Sequence, residues 1–256
     1  MCPALDASEA EAYHRDGFVR LAGFADRSVC EAMLARVVEI AETKARDPRE
    51  GPGLLLPEAN LRGRPGRPAE LASKIFRLHR EGIFAEFARS PEVTDRVADL
   101  VAPDLDCFLS QFIFKNPGAW GQPWHQDSYY FPFEPARPVT GVWLAVTEAT
   151  LENGCLHVLP GSHREPVHAH VPDRRPGANY GYVEIVDHEM GASVPVRMEP
   201  GDLLLFDSHL MHRSTDNVSN GLRAAMVYHY AAAGTVDRSK NLVNDWVPAR
   251  RGSAAA

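Results

Sequence analysis

Two residues of the sequence have the types and spacing that metal chemistry needs. His125 and Asp127 lie two positions apart in the segment His125-Gln126-Asp127. On a β-strand, residues two apart point to the same face, so this imidazole and this carboxylate can converge on one ion. A second such pair, His14 and Asp16, lies in a segment that we expect to be helical, where positions two apart diverge around the axis.

His212 is the third candidate ligand, since it follows the apolar strand-like run Leu203 to Phe206. Two histidines and one carboxylate form a facial triad that holds non-haem Fe(II) and leaves three coordination positions open. A structural zinc site would instead close its fourth position with a protein ligand. His209 is the alternative third ligand, but it lies three residues from His212 and on a strand would face the other side.

Arg223 is suited to bind an organic acid beside this metal. It lies 11 residues after His212 and follows the turn Asp216 to Gly221, at the start of a predicted strand. The planar guanidinium matches the two oxygens of a carboxylate. A solvent-exposed surface arginine is the alternative interpretation.

The first hundred residues are predicted to be mainly helical. A capping pattern begins at Ser28, and apolar residues then recur at helical spacing to about Thr43. A second helix is expected to begin after Ser90, with Pro91 at its first position. The Pro- and Gly-rich segment Pro48 to Pro68 is predicted to be a mobile surface loop.

From Cys107 onward, short apolar or alternating runs separated by Pro, Gly, Asn or Asp predict an antiparallel β-sandwich or barrel. The predicted strands are Phe108 to Lys115, Val139 to Val146, Cys155 to Leu159, Val183 to Val186, Val194 to Met198, Leu203 to Phe206 and Ala224 to Tyr230. We therefore expect one mainly β domain over residues 1–256. Residues 1–106 would form a helical layer with a loop, and residues 107–235 the β core.

Composition argues against several classes of partner. The net charge is −7 and the pI about 5.9, which disfavours a nucleic-acid backbone as ligand. No apolar run approaches the roughly 20 residues that cross a bilayer, and the first residues are too polar for a signal peptide. The four cysteines form no CxxC pair. We expect a cytoplasmic protein without a membrane partner, either monomeric or a weak homodimer.

Several motifs, in this order, resemble the phytanoyl-CoA dioxygenase family of Fe(II)/2-oxoglutarate oxygenases, and most closely its branch of phytanoyl-CoA dioxygenase domain-containing proteins. The resemblance runs from about Ala10 to about Lys240. Its motifs are Tyr13-His14-Arg15-Asp16-Gly17-Phe18, His125-Gln126-Asp127, Gly141 to Val146, Ala149 to Leu156, Pro160-Gly161-Ser162-His163, His212-Arg213-Ser214 and Arg223.

The resemblance implies a fold and a set of site residues. The fold is a double-stranded β-helix, or jelly roll, of two four-stranded antiparallel sheets with helices that buttress one sheet. The metal ligands are His125, Asp127 and His212, and the co-substrate carboxylate binds Arg223 with help from Ser214. The further positions expected against the co-substrate are Lys74, Gln111, Gln126 and Trp143.

The resemblance also implies the reaction, in which 2-oxoglutarate and O2 yield succinate and CO2 while an unactivated C–H bond is hydroxylated. Epimerisation, desaturation, ring formation and a non-catalytic metal-binding jelly roll remain alternatives. The small-molecule substrate is left open among an acyl thioester, a fatty-acid-like molecule and a natural product. The residues that favour a coenzyme A thioester are Arg62, Arg64, Arg67, Lys74, Arg77 and Arg80, and those that favour an aromatic-walled site are Tyr129, Tyr130, Phe131 and Phe133.

Two further features are weaker candidates. His168 and His170 could face a metal, but they lie in a Pro- and Arg-rich loop. The long irregular segments Pro48 to Pro68 and Glu165 to Gly181 are expected to act as lids that exclude water from the site.

Overall fold

The computed structural model describes residues 4–134, 139–239 and 241–252. Its α-helices are α1 (Ala7–Asp16), α2 (Arg27–Arg46), α3 (Gly82–Arg89) and α4 (Pro91–Leu100). Its strands are β1 (Phe18–Leu21), β2 (Leu54–Pro57), β3 (Ala72–Phe76), β4 (Leu105–Lys115), β5 (Phe133–Glu134), β6 (Thr140–Ala145), β7 (Leu156–Val158), β8 (His170–Pro172), β9 (Val183–Ile185), β10 (Val194–Val196), β11 (Leu203–Asp207), β12 (His212–Ser214), β13 (Arg223–Ala232), β14 (Val236–Asp237) and β15 (Val247–Arg250).

The helix starts follow local capping chemistry, with one correction. The prediction that α4 begins at Pro91 is confirmed, and the Ser90 hydroxyl accepts a hydrogen bond from the Val93 amide. The predicted cap at Ser28 is wrong, because α2 begins at Arg27 with Asp26 at its N-cap, two residues before Ser28. No side chain caps this end among the described residues. The prediction that His14 and Asp16 lie on a helix is confirmed by α1.

All seven predicted strands are present, but the first hundred residues are not only helical. Strands β1, β2 and β3 lie in this region and join the main sheet. The segment Pro48 to Pro68, predicted to be a mobile surface loop, contains a short strand, since Leu54–Pro57 forms β2 at the sheet edge. An edge strand tolerates a terminal proline because its outer side donates no ladder hydrogen bond.

The strands form one large and several small antiparallel sheets. The large sheet has the order β1-β11-β6-β13-β4-β3-β2, and β15 pairs with the start of β4. The small sheet facing the site has the order β10-β7-β12, and two further pairs join β5 to β14 and β8 to β9. The expectation of two four-stranded sheets is therefore corrected, because terminal strands widen the large sheet and the small one has three strands.

The two faces of the large sheet have different partners because side chains alternate along each strand. On β13, Met226 and Tyr228 face the helices, and the Tyr228 hydroxyl donates to the Phe84 carbonyl of α3 at 3.0 Å. Arg223 and Val227 face the opposite way, into a cavity between the sheets. The helix-facing core includes Cys30, Met33, Val37, Ile40, Phe84, Val93, Val97, Leu144 and Leu205. The helices thus buttress the outer face of the sheet that carries the cavity residues.

Gly141, the second residue of β6, allows a close approach that shapes the cavity. A Cβ at this position would overlap the ring of Phe206 on the neighbouring strand β11. Phe206 is 3% exposed, lines the cavity and lies 5.3 Å from the His212 ring, centroid to centroid.

We predict that Gly141→Ala lowers the free energy of unfolding by about 1–3 kcal/mol, because overpacking displaces the Phe206 ring. Gly191→Ala is the control, since a Cβ there meets no described atom within 4 Å. Chemical denaturation of both variants and the parent measures the difference. Equal stability of Gly141→Ala and the parent would show that Phe206 can relax without cost.

Candidate active site and metal centre

A cavity of about 390 Å³ lies between the large sheet and the small sheet β10-β7-β12. Its walls combine apolar side chains with a few charged and polar groups. The apolar and aromatic lining includes Phe76, Leu109, Ile113, Tyr130, Phe131, Trp143, Leu156, Tyr182, Phe206, Val227 and Val243. The polar lining includes Lys74, Gln111, Lys115, Gln122, His125, Asp127, His212, Ser214, Arg223 and His229.

The structure brings His125, Asp127 and His212 together at this cavity. Their ligand atoms all lie within 4.8 Å of one another, and all three residues are buried. The Asp127 Oδ1 atom lies 3.5 Å from His125 Nε2 and 3.8 Å from His212 Nε2. These three side chains can therefore hold one metal ion.

The backbone that presents the first two residues is not the strand that we predicted. His125 forms a single antiparallel bridge with His212, and the chain then enters a 3-10 turn over Asp127–Tyr130. The turn, rather than strand alternation, directs the carboxylate back toward the two imidazoles. His209, the alternative third ligand, lies apart from the triad, and its Nδ1 contacts Ser128 Oγ at 3.0 Å.

Backbone carbonyls orient both imidazoles of the triad. His125 Nδ1 donates to the Pro123 carbonyl at 2.8 Å, and His212 Nδ1 donates to the Leu210 carbonyl at 2.9 Å. A carbonyl only accepts, so each Nδ1 carries the proton and each Nε2 keeps a free lone pair for a metal. Burial lowers the pKa of His212 to about 4, which keeps this ring neutral at neutral pH.

His229 is a site residue that the sequence analysis missed. Its Nε2 lies 2.8 Å from Asp127 Oδ2 and fixes the carboxylate from the side away from the triad contacts. Burial alone would raise the pKa of Asp127, but His212, His125 and His229 outweigh it and hold the pKa well below its usual range. A signal was available, since His229 is six residues after Arg223 and strand alternation places both on one face.

Arg223 is buried in the cavity wall and has no anionic partner among the described residues. The residue is 2% exposed, and its Nη2 donates to the Gly154 carbonyl at 3.0 Å. Its Nε and Nη1 have no hydrogen-bond partner among the described residues, and the guanidinium lies 5.7 Å from the Trp143 ring centroid. Burial lowers the pKa of Arg223 to about 10, so the group stays charged at neutral pH. A buried unpaired charge is costly, which makes this wall fit an anionic ligand.

Two lysines lie in the cavity wall with Arg223. The Lys115 ammonium, missed by the sequence analysis, donates to Ser214 Oγ at 2.7 Å and to the Thr215 carbonyl at 2.6 Å. Burial and the nearby Arg223 lower the pKa of Lys115 well below its usual value, and burial lowers the pKa of Lys74 to about 8. Lys115 on β4 lies directly opposite Arg223 on β13 in the antiparallel register. Only the sheet topology reveals that these two residues are neighbours.

The remaining predicted residues divide into two groups. Gln111, Trp143 and Ser214 line the cavity with Lys74 and Arg223. Gln126 does not lie among the lining residues of the described chain, and its side chain points into the protein. Its Nε2 donates to the Pro166 and His209 carbonyls, and its Oε1 accepts from the His168 amide at 2.8 Å. The structure therefore does not place Gln126 against a co-substrate.

One of the two predicted lids borders the cavity. Tyr180 and Gly181, at the end of the second segment, line it together with the next residue, Tyr182. The Tyr130 hydroxyl donates to the Gly181 carbonyl at 2.7 Å. In the described chain, no residue of the first segment, 48–68, is among the lining residues. The lid role of either segment stays a prediction.

Comparison with known proteins agrees with this geometry. A family model described as Phytanoyl-CoA dioxygenase (PhyH) matches residues 13–225. The chain belongs to the phytanoyl-CoA dioxygenase family. It is therefore a non-haem Fe(II)- and 2-oxoglutarate-dependent oxygenase that acts on a small-molecule substrate.

Among residues 4–134, 139–239 and 241–252, no helix has the length and apolar character to cross a membrane.

The curated relatives differ in how much of their length is matched. A probable phytanoyl-CoA dioxygenase of Caenorhabditis elegans is 29% identical over 89% of this chain and 75% of its own length. Phytanoyl-CoA dioxygenase domain-containing protein 1 of Rattus norvegicus is 28% identical over 91% of this chain and 92% of its own length. The peroxisomal phytanoyl-CoA dioxygenase of Bos taurus is 32% identical over 65% of this chain, which spans about half of that protein, 51%.

Solved structures share the jelly-roll fold. The epimerase SnoN in complex with Fe3+, alpha ketoglutarate and nogalamycin RO superimposes with a TM-score of 0.69 at 20% identity, covering 92% of this chain and 86% of that one. EctD from S. alaskensis in its apo form has a TM-score of 0.65 at 22% identity, covering 89% of this chain and 77% of that one. The predicted double-stranded β-helix with buttressing helices is thereby confirmed.

We predict that His229→Phe weakens metal binding at the triad by about 10- to 100-fold, the usual effect of losing a group that orients a ligand. Phenylalanine keeps the ring packing against Phe131 but cannot bond Asp127. Anaerobic calorimetry with Fe(II) measures the affinity, and Asp127→Ala identifies which part of the isotherm belongs to the triad.

His157→Phe is the matched control, because His157 lies on β7 and is not among the residues that line the cavity in the described chain. This variant is expected to bind Fe(II) like the parent. If His229→Phe also keeps the parent affinity, the carboxylate is held by other contacts and His229 has no positioning role.

Proposed function

We propose that this chain is a single oxygenase domain that hydroxylates an unactivated C–H bond of an apolar small molecule. In this proposal His125, Asp127 and His212 hold Fe(II), and Arg223 binds a carboxylate of 2-oxoglutarate. The observation that carries the proposal is the buried guanidinium of Arg223, whose Nε and Nη1 have no partner in the described chain. A dianionic co-substrate supplies the missing charge and the missing acceptors.

The residues around the cavity fit both groups. The triad offers two imidazoles and one carboxylate, the donor set of non-haem Fe(II) enzymes, and leaves coordination positions open. Lys115, Ser214 and Lys74 lie in the same cavity as Arg223 and supply further donors for a carboxylate. We assign Trp143 and Gln111 to the walls of the co-substrate site, and Gln126 to the support of the triad from behind.

When bound, Fe(II) with 2-oxoglutarate and O2 supplies the oxidation: 2-oxoglutarate is split to succinate and CO2, and one oxygen atom enters the substrate. The chain's own residues orient a metal ligand and the co-substrate, and they exclude water from the cavity. His229 holds the Asp127 carboxylate, and Arg223 holds the co-substrate by its charge. Leu109, Ile113 and Val227 give the cavity dry walls, which protects a reactive site from water.

The lining favours an apolar substrate over a coenzyme A thioester. Among the six basic residues that suggested a phosphate-binding patch, Arg67 pairs with Glu70 and Arg80 with Asp245. Lys74 points into the cavity instead of toward an outer surface. Three of the six basic residues therefore either form an ion pair within the chain or point into the cavity, and are not free to bind phosphates on the surface.

Other oxidations at the same site remain the second candidate function, since similar folds include proteins described as an epimerase and as a carbocyclase. Product mass separates them: hydroxylation adds one oxygen atom, desaturation or ring formation removes two hydrogen atoms, and epimerisation leaves the mass unchanged. A non-catalytic binding protein would release no succinate with any substrate.

The cellular setting forms part of the same proposal. We place the protein in the cytoplasm, as a monomer or weak homodimer. The support is that Cys30, Cys107 and Cys155 are buried free thiols, as is usual in a reducing compartment. Fractionation separates this location from the peroxisomal one named for some relatives.

We predict that Arg223→Ala weakens 2-oxoglutarate binding by about 1.5–3 kcal/mol, the usual contribution of hydrogen bonds to a charged group. Metal affinity at the triad is expected to stay near that of the parent. Calorimetry with 2-oxoglutarate on the metal-loaded protein measures the change, and succinate release reports the loss of turnover. Arg223→Lys is expected to restore only part of the affinity, because an ammonium lacks the planar fork.

Arg197→Ala is the control, since Arg197 is exposed on the surface. Unchanged 2-oxoglutarate affinity in Arg223→Ala would overturn the assignment of this arginine to the co-substrate.

A further inference from the structure

A second cluster of metal-ligating side chains lies outside the cavity. Glu165, His168 and His188 place three ligand atoms within 4.8 Å of one another. Glu165 Oε2 lies 3.0 Å from His168 Nε2 and 3.2 Å from His188 Nε2. The two imidazole rings meet edge to face, with centroids 4.9 Å apart.

The surroundings of His168 are those of a metal ligand. Its Nδ1 lies 3.3 Å from Asp187 Oδ1, and its Nε2 faces Glu165. Metal-bound histidines commonly donate the second ring N–H to a carboxylate, which leaves the first nitrogen free to coordinate. Both nitrogens of His168 face carboxylates, so without an ion only a doubly protonated ring could donate to both. The Ala169 amide also donates to Asp187 and fixes that carboxylate.

Burial gives the cluster one protected side and one open side. The side chains of His168 and His188 are 15% and 19% exposed, whereas that of Glu165 is 41% exposed. His188 Nδ1 is buried without a hydrogen-bond partner among the described residues. Three protein ligands with access for water match a zinc site that completes its coordination with solvent.

We propose that Glu165, His168 and His188 bind a divalent transition-metal ion, Zn2+ in the first place, which completes its coordination with solvent and acts as a staple between the two ends of this segment. Histidine nitrogen and carboxylate oxygen suit Zn2+ at tetrahedral geometry. In the described chain these three residues are absent from the lining of the cavity, so this ion would lie outside the space that the triad and Arg223 share. It is a second site, separate from the triad.

The staple would join the two ends of a hairpin that reaches the active site. The ligands lie at positions 165, 168 and 188, and between them β8 and β9 pair and carry the connection that contains Tyr180 and Tyr182 at the cavity. Binding an ion to both ends reduces the conformational freedom of the segment between them. The hairpin is thereby held in place over the cavity.

The same segment also touches the residue between two triad ligands. The backbone amide of His168 donates to Gln126 Oε1 at 2.8 Å, and the backbone amide of Gln126 donates to His170 Nε2 at 3.1 Å. Gln126 lies between His125 and Asp127 in the chain. The second ion would therefore order a support of the first site without contacting it.

Zn2+ stoichiometry by equilibrium dialysis of the full chain tests the second site. We expect two ions per chain in the parent, one in Asp127→Ala, one in Glu165→Gln and none in the double variant Asp127→Ala/Glu165→Gln. His188→Gln is a second probe, expected to match Glu165→Gln. His14→Gln is the control for removal of an exposed histidine and is expected to keep two ions.

Hydrogen exchange on the Asp127→Ala background tests the staple itself. We expect Zn2+ to slow exchange in residues 165–188 and to raise Tm by a few degrees, because a ligand that binds only the folded state stabilises it. Both effects are expected to vanish in Asp127→Ala/Glu165→Gln. Native circular dichroism of each variant shows whether it has folded.

The outcomes separate this inference from the proposed function. If Asp127→Ala and both of its double variants, with Glu165→Gln or His188→Gln, bind equal amounts of Zn2+, the second site is overturned. A single ion in the parent that only Asp127→Ala removes also overturns the second site, and it leaves the triad intact. A single ion that only Glu165→Gln removes supports the second site and contradicts the triad.

Discussion

The rest of the site depends on the charge of Arg223, which is buried in the wall of the β core and has no carboxylate partner in the part of the chain that the structure describes. Leaving a buried charge unpaired costs on the order of 3–5 kcal/mol. The Gly154 carbonyl and the face of Trp143 offset only part of this cost. The remaining structure must therefore be stable enough to hold an anion site ready before the anion arrives.

That stability comes from the alternation of side chains on the central strands. One face of β13 and β4 packs against α2, α3 and α4 in a continuous apolar core, and the other carries Arg223, His229, Gln111 and Lys115 toward the cavity. Because the helices secure the outer face, the inner face can hold charged groups at fixed positions. The small sheet supplies His212, and His125 forms a bridge with it. The short turn that begins at Asp127 supplies the carboxylate of the triad.

Much of this arrangement could be predicted from the sequence, and the failures have physical causes. His125 and Asp127 could be found from residue type and short spacing, and His212 and Arg223 from residue type and their place beside predicted strands. Strand alternation from Arg223 could also have revealed His229. The direction of Gln126 could not be read, because a 3-10 turn replaces the expected strand after His125. Lys115 required the pairing of β4 with β13, a contact between residues far apart in the chain. The edge strand β2 was hidden by prolines and glycines that an edge tolerates.

The central claim is that the triad and Arg223 hold the two ends of one 2-oxoglutarate molecule. Because a metal at the triad would contact one end of 2-oxoglutarate, it must strengthen 2-oxoglutarate binding, and the same coupling free energy strengthens metal binding. The direct measurement is anaerobic calorimetry of 2-oxoglutarate with and without Mn2+, in the parent and in Asp127→Ala. We predict at least about tenfold tighter binding with Mn2+ in the parent, a coupling of about 1.4 kcal/mol, and no such gain in Asp127→Ala. Equal 2-oxoglutarate affinity of the parent with and without the metal would contradict the account.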